Sequence, residues 1–410
     1  MHRKVVITGV GILSPIGVGW EKYWEGLFRG KTGFTTISLF DTTNYSVSTA
    51  GEISDFDPVA LLGKKGLRTL DRSTRLISSA AKLAIEDAGL EITDENTQSI
   101  GVSIGTTFGS LHSISQFDRD GLIEGPKYVN PSLFPNTVLN SPASQVSIRF
   151  KIKGFNTTIS TGFCAGLDAI SYACDFVRMQ RAAIALAGGV EELCEETFLG
   201  FHALGCLSGL DGSEPICCPF DNRRNGTVLS EGAAILILED EEHAFKREAN
   251  AIARILGYAN SFDPEANRNF DHKGKGLSEA ISLALKDADL NPGDIDYICA
   301  SANSTKGLDR METNVIKTVF GPLAYDIPVS AIKSMIGESF SASGALAVAA
   351  AAGAIRHGII PPTVNYQQKD TECDLDYVPN EPRLKNVKTV LVLSSDPYGN
   401  NAAVIIGKYG

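Results

Sequence analysis

The first side chain that could support catalysis is a cysteine in a predicted turn. Residues 154–191 have the pattern of a strand at 157–160, a small-residue turn at 161–166 and an apolar-periodic helix that ends near Arg178. A helix that starts at such a turn aims its N–H groups and dipole at the turn, where they can lower a thiol pKa or stabilise an oxyanion. Cys164 lies in this turn, so nucleophilic catalysis is the chemistry to test first.

The other metal-binding and proton-transferring residues form no recognisable site. The eight cysteines are scattered singly apart from Cys217-Cys218, which is the spacing of neither a zinc site nor a disulfide framework. Isolated histidines usually have a surface or core role rather than a catalytic one. The six histidines here are His2, His112, His202, His243, His272 and His357. The sequence therefore predicts no metal site, and it carries no nucleotide-binding fingerprint that would indicate a cofactor.

The elements that must position these residues alternate between apolar strands and amphipathic helices. Helices are predicted at 20–29 and 70–89, and a helical stretch opens at Asn130. Strands are predicted at 4–10, 100–105, 157–160, 183–187, 233–238, 251–259, 295–301, 329–331, 387–394 and 402–407. This alternation predicts mostly parallel sheets covered by helices on both sides.

Composition narrows the class of protein. The 410 residues are 43% apolar without linker or low-complexity runs, which indicates one large body. A net charge of −11 argues against a nucleic-acid surface and against strong attraction to acidic partners. The N-terminus enters a strand without a cleavable signal and no apolar run reaches membrane-spanning length, so a reduced cytoplasm is the expected location.

Short motifs recur in a fixed order along most of the chain. They are VVITGVG at 5–11 with SPIG at 14–17, AGGVE at 187–191, PFD at 219–221, EGAA at 231–234, and KSM at 333–335 followed by SGA at 343–345. This order resembles the β-ketoacyl-ACP synthases of the type II elongating kind. The resemblance implies an α/β thiolase-like fold, five-layered α-β-α-β-α, with two similar halves at 1–250 and 251–410.

The departures from the family pattern concern its catalytic groups. Active members use a cysteine thiolate to accept the acyl group and two histidines for malonyl decarboxylation. The resemblance puts the nucleophile position on Phe163 and the histidine positions on Ser301 and Glu338, while Lys333 and Glu312 stand at retained pocket positions. Glu338 is available as a charge partner for Lys333, in a site that is either buried or partly hydrated.

Cys164 follows the nucleophile position by one residue. A shift of one residue at the start of a helix turns the side chain by about 100°, away from the pocket. The expected role is therefore a buried packing residue, with a relocated nucleophile as the alternative.

A ketosynthase body without its catalytic groups resembles the chain-length factor, or β-subunit, of type II polyketide systems. The resemblance implies a chain that is inactive alone, forms a heterodimer with an active ketosynthase α-subunit, meets acyl carrier protein through that partner, and shapes the acyl tunnel. The candidate tunnel residues are Phe108, Phe117, Leu133 and Phe134. Two alternatives stay open: an acyltransferase or decarboxylase that uses Cys164, and a homodimeric acyl-binding protein.

Overall fold

A computed structural model describes residues 3–266, 270 and 273–410. Its strands are β1 (Val5–Ser14), β2 (Gly17–Val18), β3 (Thr35–Thr36), β4 (Thr49–Ala50), β5 (Ile100–Gly105), β6 (Asn156–Ile159), β7 (Ile184–Glu191), β8 (Gly232–Asp240), β9 (Ala253–Phe262), β10 (Tyr297–Cys299), β11 (Val329–Ser330), β12 (Ile359–Ile360), β13 (Arg383–Leu384), β14 (Thr389–Ser395) and β15 (Asn400–Lys408).

The helices are α1 (Trp20–Phe28), α2 (Pro58–Leu62), α3 (Arg72–Asp87), α4 (Leu111–Ile123), α5 (Ser141–Phe150), α6 (Ala165–Arg178), α7 (Glu195–Ala203), α8 (Glu241–Lys246), α9 (Lys275–Asp287), α10 (Lys306–Phe320), α11 (Lys333–Ile336) and α12 (Ser341–His357). Short 3-10 turns lie at Pro131–Thr137, Gly162–Cys164, Pro292–Asp294 and Gly321–Tyr325. None of the helices in the described ranges is both long enough and apolar enough to cross a membrane.

The main sheet repeats one strand order in its two halves. The first half runs β6-β5-β7-β8-β1 and the second β11-β10-β14-β15-β9. With the strands of each half numbered in chain order, both read 3-2-4-5-1. The halves join where β1 pairs with β9, with Val5 opposite Ile255. The closing strands β8 and β15, which carry AAILILE and AAVIIGK, occupy equivalent positions.

The helices sort into three layers around the two half-sheets. Helices α6 and α12 contact strands of both halves and share one apolar core with them. Helices α3 and α5 pack on the outer face of the first half, and α9 and α10 on that of the second. Helix α12 is buried around its whole circumference from Ser341 to Ile355, as expected for a helix that is apolar all round. The fold is therefore five-layered and thiolase-like.

The expectation of mostly parallel sheets is wrong. Strand β5 is parallel to β6 and β7, and β10 to β11 and β14. Strand β8, however, runs antiparallel to β1 and β7, β15 to β9 and β14, and β1 to β9. Both faces of these strands are covered, so their sequences are continuous apolar runs that carry no sign of strand direction. The predicted strands themselves are present, with ends shifted by at most four residues.

Candidate functional site

The turn before α6 sends two adjacent side chains into different environments. Gly162 has φ +58°, and a Cβ there would lie 1.9 Å from an Asp396 carboxylate oxygen, so glycine is favoured at this position. Phe163 is 5% exposed and packs in an aromatic cluster. Cys164 lies in the central core, where its Sγ donates to the Ser394 carbonyl at 3.3 Å.

The surroundings of Cys164 on balance oppose thiol activation, although it stands at the start of α6. Its side chain is fully buried, and burial raises its pKa well above the ordinary value, with further contributions from the Asp168 and Asp396 carboxylates. A nucleophilic thiolate needs the opposite environment, with partial exposure and a cation or imidazole close by. The geometry is that of a packing residue under the turn.

Ser301 and Glu312 stabilise the loop that follows β10. The backbone N–H groups of Ser301 and Ala302 donate to the two carboxylate oxygens of Glu312, at 2.6 and 2.9 Å. The Ser301 hydroxyl accepts from the Ser395 N–H at 3.2 Å, which connects this loop to the end of β14. Burial raises the pKa of Glu312 to about 7, and both of its carboxylate oxygens accept hydrogen bonds from the backbone.

Glu338 is a buried carboxylate with several donors. Its Oε2 accepts from the Lys333 ammonium at 2.8 Å and from the Asn303 side-chain amide at 2.9 Å. Its Oε1 accepts from the Phe340 N–H at 3.0 Å and the Ser343 hydroxyl at 3.1 Å. Both members of the Lys333–Glu338 pair are buried, and this hydrogen bonding is what makes a buried carboxylate tolerable.

A four-ring cluster fills the space behind Phe163. The ring of Phe340 lies 4.9 Å from that of Phe163, 5.1 Å from Phe201 and 5.2 Å from Phe108, measured between centroids. Phe340 is itself buried and has φ +47°, an uncommon backbone conformation for a bulky residue. No motif in the sequence pointed to Phe340 or Phe201. Phe340 stands two residues after Glu338, between the KSM and SGA motifs. This closeness to Glu338 is the sequence feature that could have identified it.

A cavity of about 580 Å³ lies on the other side of Phe163. Its walls are Phe163, Phe201, Leu204, Cys206, Thr227, Phe270, Asn303, Thr305, Gly307, Arg310, Glu338, Pro397 and Tyr398. Cys206 is the thiol in this wall, and burial raises its pKa above the ordinary value. The structure thus brings Phe163 and Glu338 to one cavity, with Ser301 and Glu312 supporting its neighbouring loop.

The described histidines have other partners. His112 contacts Glu196, His202 contacts Tyr45, His243 contacts Glu239, and His357 stacks on Trp24. His2 and His272 lie outside the described residues. Within the described part of the chain, no cluster of three or more His, Cys, Asp or Glu side chains is placed to hold a metal.

The candidate tunnel residues occupy two neighbouring places. Phe108 is half-buried and belongs to the four-ring cluster. The ring of Phe117 lies 6.0 Å from that of Phe134, and Leu133 and Phe134 are 37% and 59% exposed. Phe108 therefore packs behind Phe163, through Phe340, and is not among the residues that line the cavity, whereas the other three lie on the surface formed by α4 and the turn Pro131–Thr137.

Known proteins match this chain along nearly its whole length. Residues 2–244 match the family model "Beta-ketoacyl synthase, N-terminal domain", and residues 252–367 match "Beta-ketoacyl synthase, C-terminal domain". The 3-oxoacyl-[acyl-carrier-protein] synthase 2 of Coxiella burnetii is 36% identical over 408 residues, covering 99% of both chains. The tetracenomycin polyketide synthase ketoacyl synthase alpha subunit of Streptomyces glaucescens is 38% identical over 418 residues, covering 99% of this chain and 97% of that one.

Two solved structures are also similar over the full length. One is titled "The ishigamide ketosynthase/chain length factor", with a TM-score of 0.94, 34% identity and complete coverage of both chains. The other is a type II polyketide synthase acyl-carrier protein in complex with its ketosynthase, with a TM-score of 0.91, 31% identity and complete coverage of both chains. The two curated relatives are named as synthases, and the name chain length factor comes from a structure.

Proposed function

Because this chain belongs to the beta-ketoacyl synthase family, we propose that it is a non-catalytic, chain-length-factor-like subunit. It pairs with an active β-ketoacyl-ACP synthase and shapes the acyl tunnel in type II polyketide, polyene or fatty-acid-like chain elongation. One observation supports the proposal: Phe163, Ser301 and Glu338, the positions that the family resemblance assigns to the catalytic groups, are each used in packing or hydrogen bonding.

Among the residues that the structure describes, the cavity lining includes one thiol, Cys206, whose pKa is raised by burial, and no imidazole. A thiolate must take the acyl chain, and imidazoles must stabilise the charge that develops on decarboxylation. Phe163 offers neither a nucleophile nor a hydrogen-bonding group, and Glu338 presents a carboxylate already neutralised by Lys333. Cys164 points into the opposite core. These contacts favour a supporting role over relocated chemistry at Cys164.

A partner surface is provided by α4 and the turn that follows it. No residue of α4 is buried in the isolated chain, and it packs against the turn Pro131–Thr137. The exposed apolar side chains of this surface, called the α4 patch below, are Leu122, Ile123, Tyr128, Leu133, Phe134, Val138 and Leu139. Contiguous exposed apolar surface of this kind marks an interaction site, and obligate interfaces bury upwards of roughly 2,000 Å².

The acyl carrier protein is expected to dock mainly on the partner subunit. Carrier proteins are acidic, and this chain has a net charge of −11, which disfavours their approach at long range. Two solved relatives, whose titles pair a ketosynthase with a chain length factor and with a carrier protein, support the same arrangement.

The proposal also divides the chain into two structural repeats that meet near residue 250. Segments 1–250 and 251–410 each contain one complete 3-2-4-5-1 half-sheet, and residue 250 lies in the connection from α8 to β9. Both halves are needed for the central α6 and α12 layer, so the proposal treats them as structural repeats rather than separable units.

The test is reconstitution with and without a partner. We expect the purified chain alone to leave malonyl-ACP and an acyl primer uncondensed, because its three replaced groups act as a unit. Co-expressed with type II ketosynthases that retain the cysteine and both histidines, it should co-purify one to one with one of them and support chain elongation. Replacing the partner's cysteine with alanine is the control that should abolish the product. Condensation by the isolated chain, or a stable homodimer that holds acyl chains and ignores every partner, would contradict the proposal.

A further inference from the structure

We infer that docking of the partner on the α4 patch is linked to a proton: Glu192 holds the start of α4, and the heterodimer is tighter when this carboxyl is ionised. Because the partner is itself part of the proposed function, the inference rests on that proposal. Glu192 acts here as a positioning residue, through the helix that meets the partner.

Glu192 caps two helices at once. It directly follows β7, and its side chain is buried. Its Oε2 accepts from the Ser73 N–H in the first turn of α3 at 3.0 Å, and its Oε1 accepts from the His112 N–H in the first turn of α4 at 3.3 Å. The neighbouring Glu191 accepts from the Phe108 N–H at 2.9 Å. The end of β7 therefore fixes both the segment that leads into α4 and the first turn of the helix.

Helix α4 depends on polar contacts for its position. None of its residues is buried, so an apolar face contributes little to holding it on the body of the chain. Ser110, at its N-cap, makes no side-chain cap, and the buried Ser110 hydroxyl has no hydrogen-bond partner among the described residues. The His112 ring contacts Glu196 of α7, with its Nδ1 3.3 Å from either carboxylate oxygen. The Glu192 cap therefore replaces the one that Ser110 does not make, and its loss would loosen the first turn.

The charges around Glu192 balance its two protonation states. Burial, with the Asp71 carboxylate at the N-cap of α3, raises its pKa to about 8, while the N–H donors of both helices act in the opposite direction. The Oδ2 of Asp71 is buried and has no hydrogen-bond partner in the described ranges, so this charge is poorly screened. The titratable and charged groups around Glu192 are Asp71 and Arg72 of α3, Glu191 of β7, Cys194, His112 of α4 and Glu196 of α7. An ionised Glu192 and a capped α4 therefore favour each other.

Docking and folding respond to this proton with opposite signs. The α4 patch includes Leu122 and Ile123 at the end of α4, so a partner there needs the helix to be in place. Docking therefore favours the ionised form of Glu192, releases a proton and tightens as pH rises. The contribution of Glu192 to folding changes the other way, because an acid that burial keeps protonated favours the folded state at lower pH.

The experiment follows subunit exchange between the purified heterodimer and a tagged copy of this chain, from pH 7 to pH 9 at constant ionic strength. Dissociation of the wild-type heterodimer should slow by at least about threefold across this range. Glu192→Gln imitates the protonated acid, so it should exchange at one rate throughout, close to that of the wild type at pH 7. The partner is the same in both complexes, so its own titrating groups contribute equally.

Asp71→Asn is the second test variant. Its amide oxygen can still accept from the Thr74 N–H, but the charge that raises the pKa of Glu192 is gone, so the change in rate should occur at lower pH. Two controls should keep the wild-type dependence on pH. Glu214→Gln changes the net charge at an exposed residue, and His112→Gln removes an imidazole from α4, since histidines change charge near neutral pH.

Equal dependence on pH in the wild type and Glu192→Gln overturns the inference, as does loss of the dependence in His112→Gln. A wild-type dissociation rate that rises with pH also overturns it, because that is the sign of a purely structural role. If Glu192→Gln fails to assemble, Asp71→Asn alone decides, and an unmoved pH midpoint is then the overturning result. A wild-type chain that forms no heterodimer overturns the proposed function itself, which size-exclusion chromatography shows before any exchange is measured.

Discussion

Phe163 and Cys164 are adjacent in the chain but belong to different cores. Phe163 faces the aromatic cluster and the cavity, whereas Cys164 lies among the side chains of the central layer. At a strand-to-helix turn, a single residue position therefore decides whether a side chain faces the cavity or the central core.

Cys164 should resist thiol reagents in the folded protein. Its sulfur is buried and its pKa is raised by burial, so little thiolate exists at neutral pH. Brief treatment with iodoacetamide at pH 7.5, followed by peptide mass spectrometry, should label half-buried Cys206 well before Cys164. Denatured protein provides the control, because there both should react alike. Rapid labelling of native Cys164, or an acyl adduct on it, would favour a relocated nucleophile.

The Lys333–Glu338 pair should show strong coupling in a double-mutant cycle. Glu338→Gln leaves a buried ammonium without its charge partner, a change that costs about 3–5 kcal/mol of unfolding free energy. Lys333→Met combined with Glu338→Gln removes both charges and should recover much of that loss. Chemical denaturation of the four proteins measures the coupling. Additive single effects would show that the two charges are stabilised independently.

At the level of elements, α4 is the longer of two α-helices in the described ranges that have no buried residue, the other being the five-residue α2. Its last residues, Leu122 and Ile123, are 86% and 71% exposed. An amphipathic helix normally buries one face, so this exposure indicates that the missing contact comes from outside the chain.

Introducing charge into the α4 patch should disrupt assembly without disturbing the fold. Leu122→Asp and Phe134→Asp place a carboxylate in the expected interface and should weaken heterodimer formation by about 2 kcal/mol or more. Both side chains are exposed in the chain itself, so its own unfolding free energy should change by less than about 0.5 kcal/mol. Phe245→Asp, at a residue of α8 that is 77% exposed, is the matched control. Co-purification of the partner with both patch variants at wild-type yield would exclude this surface.

For the whole molecule, buried carboxylates should make stability depend on pH. Burial, with the nearby Asp71 carboxylate, raises the pKa of Glu192 to about 8. An acid whose pKa is higher in the folded state binds protons more readily there than in the unfolded state. Its contribution therefore favours folding at acidic pH and is lost as pH rises from its ordinary value near 4.5 towards 8.

Glu192→Gln should flatten this part of the stability profile. The amide imitates the protonated acid, so the variant should match the wild type near pH 5 and exceed it at pH 8 by at least about 1 kcal/mol. Urea denaturation at a series of pH values measures the difference. Glu214→Gln, at an exposed residue, controls for the change in net charge. A constant offset between wild type and variant at all pH values would rule out titration of Glu192 in this range.

Much of the fold was readable from the sequence. Strands such as β5 and β8 are apolar runs between turn residues, and α6 ends at Arg178 as predicted, because local propensity and periodicity are properties of the sequence itself. The five layers and the two halves followed from the family resemblance, and the structure bears them out. Strand direction was misjudged, because β8 and β15 are covered on both faces and show no alternating pattern.

The features of the site also divide into those that the sequence predicted and those that the structure added. The residue types at 163, 301 and 338 could be read directly, and their chemistry alone argued against a thiolate and two imidazoles. Only the tertiary structure placed Phe340, Phe201 and Phe108 in one cluster with Phe163, and brought Asn303 and Lys333 to the same carboxylate of Glu338. These contacts join segments that are far apart along the chain, and a sequence pattern reports on neighbours within a few residues. The sequence by itself, through the family resemblance, predicts which positions lack the catalytic groups, and the packing of distant segments decided what the side chains at those positions contact.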